Sequence, residues 1–213
     1  PSKTGVINNV FTPWTYDKFP SVFSQLEASN PDIRTKAIAD GDVIAAIADS
    51  GVGADEVVYI PQVADDPNWA KTDAAVTAEA VKSIKGTEPG YEDVPNYMVA
   101  YLVQDDENGH FYGADSIEYK EAVERTDENL GALMDAVAAR EAATGEDWTI
   151  IVVTDHGHQP QQGLGHGFQS PDETTTFVIA DGPQFADGAW NPDYEIVDVT
   201  PTVLDLFNAP QQS

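Results

Sequence analysis

The chain has 213 residues with 41% hydrophobic content, 4 Trp, 8 Tyr and 8 Phe, which is enough for one sizeable core and excludes a disordered chain. Aspartate and glutamate number 37 against 10 lysines and arginines, so the formal charge of -27 argues against binding duplex nucleic acid through a basic surface. Zero cysteines exclude disulfides and thiolate metal sites, and no apolar run reaches the roughly 20 residues that span a bilayer.

The acidic residues are spread along the whole chain, which fits a saline environment and a merely acidic surface equally well. Pro1 begins the chain with neither an initiator methionine nor an apolar signal region. We therefore expect the amino-terminal part of the domain to be missing. Location and oligomeric state stay open, with export to a periplasm or the extracellular space as one alternative.

Helices and short strands alternate in the first half of the chain, after a loop or short extended segment over residues 1–16. Apolar residues at helical spacing, with proline or glycine at the ends, indicate the helices. The predicted helices span 19–28, 40–50 and 70–85, and the predicted strands span 33–38 and 56–60.

Two apolar runs further along the chain, the second of them rich in β-branched residues, predict buried strands over 97–103 and 149–154. A helix over 116–143 joins them, with Asp115 and Glu118 as a capping box and Gly145 as its stop. Strand, helix and strand in this order predict a right-handed crossover and two neighbouring parallel strands. A further strand is predicted over 174–180 and a helix over 200–207. The whole pattern predicts a single α/β domain over 1–213, a mainly parallel sheet sandwiched by helices.

Metal-type ligands follow both buried strands. Asp106 and His110 come after the first strand, Asp155 and His156 directly after the second, and His166 lies between two glycines further on. Because the carboxyl ends of parallel strands share one edge of a sheet, these side chains are expected to converge. Carboxylate and imidazole donors suit zinc, manganese or iron, and a pair of such cations can drive an in-line phosphoryl displacement.

All four histidines of the chain fall in the two segments after these strands, which we interpret as loops. His158 is the one histidine outside the predicted ligand set. We interpret it as a residue outside the ligand shell, either supporting a ligand or lying at the surface, with direct contact to metal or substrate as the alternative.

The run Asp106-x-x-x-His110 followed by Tyr-Gly, then Thr-Asp155-His156-Gly and Gly-His166-Gly, resembles the alkaline phosphatase superfamily. The closest resemblance is to its type I phosphodiesterase/nucleotide pyrophosphatase branch. It covers nearly the whole chain, because the segment ending at Asn9 and the segment 198–204 also look like parts of that family.

The resemblance implies that Asp106, His110 and His166 bind one metal ion, usually zinc, and that Asp155 and His156 bind a second. Asn9 matches the asparagine that contacts the phosphoryl oxygen. The family also needs a further Asp ligand and a Thr or Ser nucleophile, both of which we expect upstream of this chain.

Thr4 is the alternative nucleophile, but the segment that follows it fits better as one that lies after the nucleophile. The implied reaction is metal-dependent hydrolysis of a small phosphoester, most simply a phosphodiester or nucleotide pyrophosphate, and this fragment alone is expected to be inactive. The alternatives are a phosphomonoesterase, a sulfatase, a phosphonate hydrolase or a non-catalytic metal-binding module.

Overall fold

A computed structural model describes residues 16, 18–86, 94–163 and 165–211 of the chain. The predicted catalytic Asn9 and the alternative nucleophile Thr4 lie outside the described residues. The helices are α1 (Val22–Ser29), α2 (Asp42–Ala48), α3 (Ala70–Lys85), α4 (Gln104–Tyr112), α5 (Ile117–Thr144), α6 (Pro171–Thr174) and α7 (Val199–Leu206), with a 3₁₀ turn at Ile196–Asp198. The strands are β1 (Thr35–Ala39), β2 (Glu56–Tyr59), β3 (Tyr97–Tyr101), β4 (Ile150–Val153) and β5 (Val178–Asp181).

β1 is the centre of a three-stranded parallel sheet with the order β2-β1-β3. Ala37 pairs with Val57 on one side and with Val99 on the other, and all five β1 residues are buried. The next residue, Ile38, packs against α3, whereas Ala37 packs against Phe23 of α1. Helices therefore cover both faces of the sheet, and the predicted α/β class is confirmed.

β4 does not neighbour β3 as predicted, because it pairs antiparallel with β5 in a separate two-stranded sheet. A helical crossover limits the hand of a connection but leaves open which strand becomes the hydrogen-bonded neighbour. Side-chain packing still joins the two sheets, since Tyr97 of β3 and Ile151 of β4 pack on the same cluster around Leu26.

α5 begins one residue later than the predicted capping box requires. Ser116 is the N-cap, and its hydroxyl accepts a hydrogen bond from the amide of Tyr119 at 3.1 Å. Ala122, Ala136 and Val137 are the buried residues of this helix, whereas Ile117, Val123 and Met134 are exposed. Small side chains on the buried face let α5 approach α3 closely. None of the helices in the described ranges is both long and apolar enough to cross a membrane.

The side-chain carboxyl groups of Asp40 and Asp73 are both buried in the domain. Asp40 follows β1, Asp73 lies on α3, and both are at most 2% exposed. The Asp73 carboxylate accepts hydrogen bonds from Gln104 Nε2 at 2.6 Å and from the Val103 amide at 3.2 Å. Burial, together with the hydrogen bond and charge of Asp73, raises the pKa of Asp40 to about 9. Asp40 is therefore protonated at neutral pH.

Replacing Asp40 with asparagine is expected to raise the melting temperature at pH 7.5 by a few degrees. The folded state keeps a proton on Asp40 that the unfolded state releases above about pH 4, so this group lowers stability as pH rises from about 4 to about 9. An asparagine amide at this position is neutral throughout this pH range and has no such dependence on pH. Thermal unfolding between pH 5 and pH 8 should show a smaller loss of stability in the Asp40→Asn variant than in the wild type. The exposed Asp32→Asn substitution makes the same chemical change and should leave the dependence of stability on pH unchanged. If all three proteins lose stability equally between pH 5 and pH 8, the raised pKa is not that of Asp40.

Candidate metal centre

Asp106 and His110 lie one turn apart on α4, a helix that directly follows β3. The segment was predicted to be a loop, and that prediction is wrong. Its first turn carries Asp105, Asp106 and Glu107, and negative charge there is stabilised by the helix dipole. The spacing of four residues between Asp106 and His110 was the available signal, since it places both side chains on one helical face.

Buried polar side chains, rather than an apolar stripe, attach α4 to the rest of the domain. Gln104 donates to Asp73 and accepts a hydrogen bond from Arg125 Nε at 2.9 Å. Asn108 Nδ2 donates to the carbonyl oxygens of Gln104, at 2.6 Å, and Asn68, at 3.0 Å. These bonds fix both the depth and the rotation of α4, and so the direction in which Asp106 points.

The second segment of the site follows β4 and is held by Glu173 of α6. Its carboxylate accepts hydrogen bonds from the amides of Phe168 and Ser170, both at 2.8 Å, and from Gln159 Nε2 at 2.6 Å. Burial acts to raise the pKa of Glu173, but these hydrogen bonds outweigh it and lower the pKa to about 2. An ionised Glu173 therefore ties Gln159, Phe168 and Ser170 together in the loop that follows β4.

All four imidazoles of the chain face Asp106. Its Oδ1 lies 2.7 Å from His158 Nε2, 3.4 Å from His166 Nε2 and 3.8 Å from His156 Nε2, and its Oδ2 lies 3.5 Å from His110 Nε2. Burial acts to raise the pKa of Asp106, but the hydrogen bond with His158 and the neighbouring imidazoles outweigh it and lower the pKa. Asp106 is thus an anion surrounded by imidazole nitrogens.

The donor set fits a divalent cation. Ligand atoms of Asp106, His110, His158 and His166 all lie within 4.8 Å of one another. Burial, and then repulsion from His156, lowers the pKa of His166, so its ring stays neutral with a lone pair free to bind a metal. One carboxylate oxygen with several imidazole nitrogens is a ligand set that zinc prefers.

Asp155 and His156, the pair predicted for a second metal, lie at the edge of this group. Asp155 Oδ2 is 3.6 Å from His156 Nε2, and the His156 ring lies 3.8 Å from that of His166. Asp155 is 59% exposed at its side chain and does not belong to the four-residue group. The described residues therefore assemble one donor group, with this pair beside it.

Two glycines, Gly109 and Gly165, let α4 and the loop after β4 pack closely against each other. A Cβ on Gly109 would lie 2.6 Å from His158 Cγ, and a Cβ on Gly165 would overlap the ring of His110. Gly165 also has a φ of +65°, which few other residues adopt readily. The close approach of the His110 and His158 rings to opposite backbone segments thus depends on the absence of side chains at both positions.

Gly109→Ala is expected to destabilise the protein by about 1–3 kcal/mol, because the new methyl group must displace the buried His158 ring. The matched control is Gly131→Ala on α5, where an added Cβ meets no atom within 4 Å. That control should gain about 0.5–1 kcal/mol, the usual preference for alanine in a helix. Thermal and urea unfolding measure both effects. A Gly109→Ala protein as stable as the Gly131→Ala protein would show that the contact between α4 and the loop is loose.

A family model described as type I phosphodiesterase / nucleotide pyrophosphatase matches residues 1–168. The chain belongs to this family. The resemblance inferred from the sequence is therefore confirmed. The matched range contains Asn9, both segments of the donor group and the Asp155-His156 pair. A comparison with curated proteins gave no match.

Proposed function

We propose that this protein hydrolyses a small phosphoester with the help of divalent metal ions, and that its natural substrate is a phosphodiester or a nucleotide pyrophosphate. Family membership supports phosphoester hydrolysis. The single observation that supports metal dependence is the group of imidazoles around Asp106, whose donor atoms lie within 4.8 Å of each other.

The charge of the chain explains what bound cations would contribute to the reaction. A phosphodiester is an anion, and it approaches a protein with a formal charge of -27. The donor group itself contains a carboxylate, that of Asp106, which adds negative charge where the substrate would react. Bound cations would reverse the local field at this point, polarise a phosphoryl oxygen and stabilise the leaving oxygen.

The residues divide into two ligand sets in this proposal. Asp106, His110 and His166 hold one cation, and Asp155 and His156 contribute to the second. The second set is completed by an Asp from outside this chain, and the nucleophile is a Thr or Ser that also lies upstream. Asn9 orients a phosphoryl oxygen by donating from its side-chain amide.

The distance of His156 from Asp106 supports two adjacent cations over two remote ones. His156 Nε2 lies 3.8 Å from Asp106 Oδ1, so ligands of the two sets are neighbours. Cations held by neighbouring ligand sets can act on the same phosphoryl group. Zinc is the cation that we propose for both positions.

Hydrolysis assays on aryl esters test this proposal. The 213-residue chain alone should hydrolyse bis(p-nitrophenyl) phosphate no faster than buffer with zinc, because it lacks the nucleophile. The natural protein extended upstream should turn over this diester faster than p-nitrophenyl phosphate or p-nitrophenyl sulfate, and chelation should abolish the activity.

Each alternative function gives a different result in the same assays. Brisk turnover by the 213-residue chain that is lost on Thr4→Ala would make Thr4 the nucleophile. Preference for the monoester, the sulfate or a phosphonate would move the protein to another branch of the superfamily. Zinc binding without turnover of any ester by the extended protein would indicate a non-catalytic metal-binding module.

A further inference from the structure

His158 is the most deeply buried of the four histidines, at 4% exposure, and the family pattern gives it no role. Its ring lies against the backbone of Gly109, edge-on to the ring of His110 at a centroid distance of 4.9 Å. The ring of Tyr119 approaches it from α5 at 6.0 Å. Contacts from α4 and α5 therefore fix the His158 ring in its buried position.

The distances to Asp106 separate His158 from the other two imidazoles of the donor group. Two donor atoms that each lie about 2.0–2.1 Å from one tetrahedral ion are about 3.3 Å apart. Two distances are close to this spacing: Asp106 Oδ1 lies 3.4 Å from His166 Nε2, and Asp106 Oδ2 lies 3.5 Å from His110 Nε2. The His158 distance of 2.7 Å is too short for two ligands of one ion and is that of a strong N–H···O⁻ hydrogen bond.

The other nitrogen of His158 indicates which tautomer is present. Nδ1 is buried and has no hydrogen-bond partner in the described part of the chain. A proton on Nδ1 would be a buried donor without an acceptor, whereas a proton on Nε2 is donated directly to Asp106 Oδ1. The contacts therefore favour the tautomer with its proton on Nε2, which has no lone pair at that atom to offer a metal.

We propose that His158 is a positioning residue that holds the carboxylate of Asp106 by a hydrogen bond from Nε2, so that Asp106, His110 and His166 are correctly placed for the metal. This inference rests on the proposed metal-dependent function. Ligand carboxylates depend on such outer partners for their orientation, and loss of one typically weakens metal binding about 10–100-fold. His158 acts only through Asp106 and contacts neither metal nor substrate.

Zinc affinity, measured in the natural full-length protein by competition with a chromogenic chelator, tests the inference. His158→Leu keeps much of the volume without a donor and should bind zinc about 10–100-fold more weakly. His158→Gln places an amide donor near the position of Nε2 and should recover most of that loss. The visible spectrum of bound Co²⁺ should be the same in His158→Gln and in the wild type, because the ligand set is unchanged.

Equal zinc affinity in His158→Leu and wild type would overturn the inference. A His158→Gln protein that loses zinc as completely as His166→Ala, with an altered Co²⁺ spectrum, would also overturn it and make His158 a ligand. If His158→Leu fails to fold by circular dichroism, the comparison of His158→Gln with His166→Ala still decides. A wild-type protein that binds no zinc would instead refute the metal-dependent function itself.

Discussion

Asp106→Asn is expected to weaken zinc binding at least 100-fold, more than the loss of an outer partner does. Asp106 is the one carboxylate in the four-residue donor group. All four histidine rings face it, and its pKa is lowered because those neighbours favour the charged form. Asparagine has nearly the same shape but no charge and one acceptor oxygen in place of two. In the upstream-extended protein that we propose to be the active form, kcat/KM for an aryl phosphodiester should fall by at least the same factor.

Asp105→Asn is the matched control, because it makes the same chemical change one residue away. Asp105 accepts a hydrogen bond from Thr126 at 3.1 Å, and burial raises its pKa to about 6. An asparagine oxygen can still accept that bond, so stability and zinc affinity should both stay close to wild type. Isothermal titration and metal analysis compare the two variants. Equal zinc affinity in Asp106→Asn and Asp105→Asn would remove Asp106 from the centre.

Helices and strands with a strong local signal were predicted well from the sequence. α3 spans Ala70–Lys85 as predicted, because a regular Ala and Val period ends at a glycine that adopts φ +59°. β4 occupies Ile150–Val153, inside the predicted run. In both cases residues adjacent in the chain carry the signal, so no distant contact is needed to decide the structure.

The pairing of β4 and the helical state of α4 depend on contacts between distant parts of the chain. β4 could have joined either sheet, since its four apolar residues carry no register signal of their own. α4 has too little apolar periodicity to be recognised as a helix, and it is stabilised by hydrogen bonds to Asp73, Asn68 and Arg125, which lie up to 40 residues away. Sequence patterns report local periodicity and do not reveal partners of this kind.

The candidate metal centre, like the fold, could be predicted only in part from the sequence. Ligand-type residues are recognisable by their chemistry and spacing, and the structure brings Asp106, His110 and His166 together. The place of His158 depends on Gly109, Tyr119 and Asp106, which no local pattern connects to it. Sequence alone therefore could not distinguish a buried partner of Asp106 from a surface histidine.

Saturation with zinc is expected to raise the melting temperature of the wild-type chain by about 8–16 °C. Zinc bound at about 1,000 times its dissociation constant stabilises the folded state by about 4 kcal/mol, and each kcal/mol shifts the midpoint by about 2–4 °C in a domain of this size. The shift arises because the donor atoms come from α4 and from the loop after β4, which the unfolded chain does not hold together. Differential scanning fluorimetry with and without a chelator measures it.

Three comparisons make this last measurement specific. Asp106→Asn should lose nearly the whole shift, whereas the Asp155→Ala, His156→Ala double variant should keep the zinc held by the Asp106 group and lose only the second ion. The shift should also shrink on acidification, because imidazoles must be neutral to bind zinc. The pKa of His166 is lowered from the ordinary histidine value of about 6.5, so protonation of His166 should reduce the zinc-induced shift only below that pH. An equal shift in Asp106→Asn, or one that persists unchanged at pH 4.5, would mean that zinc binds elsewhere on the acidic surface.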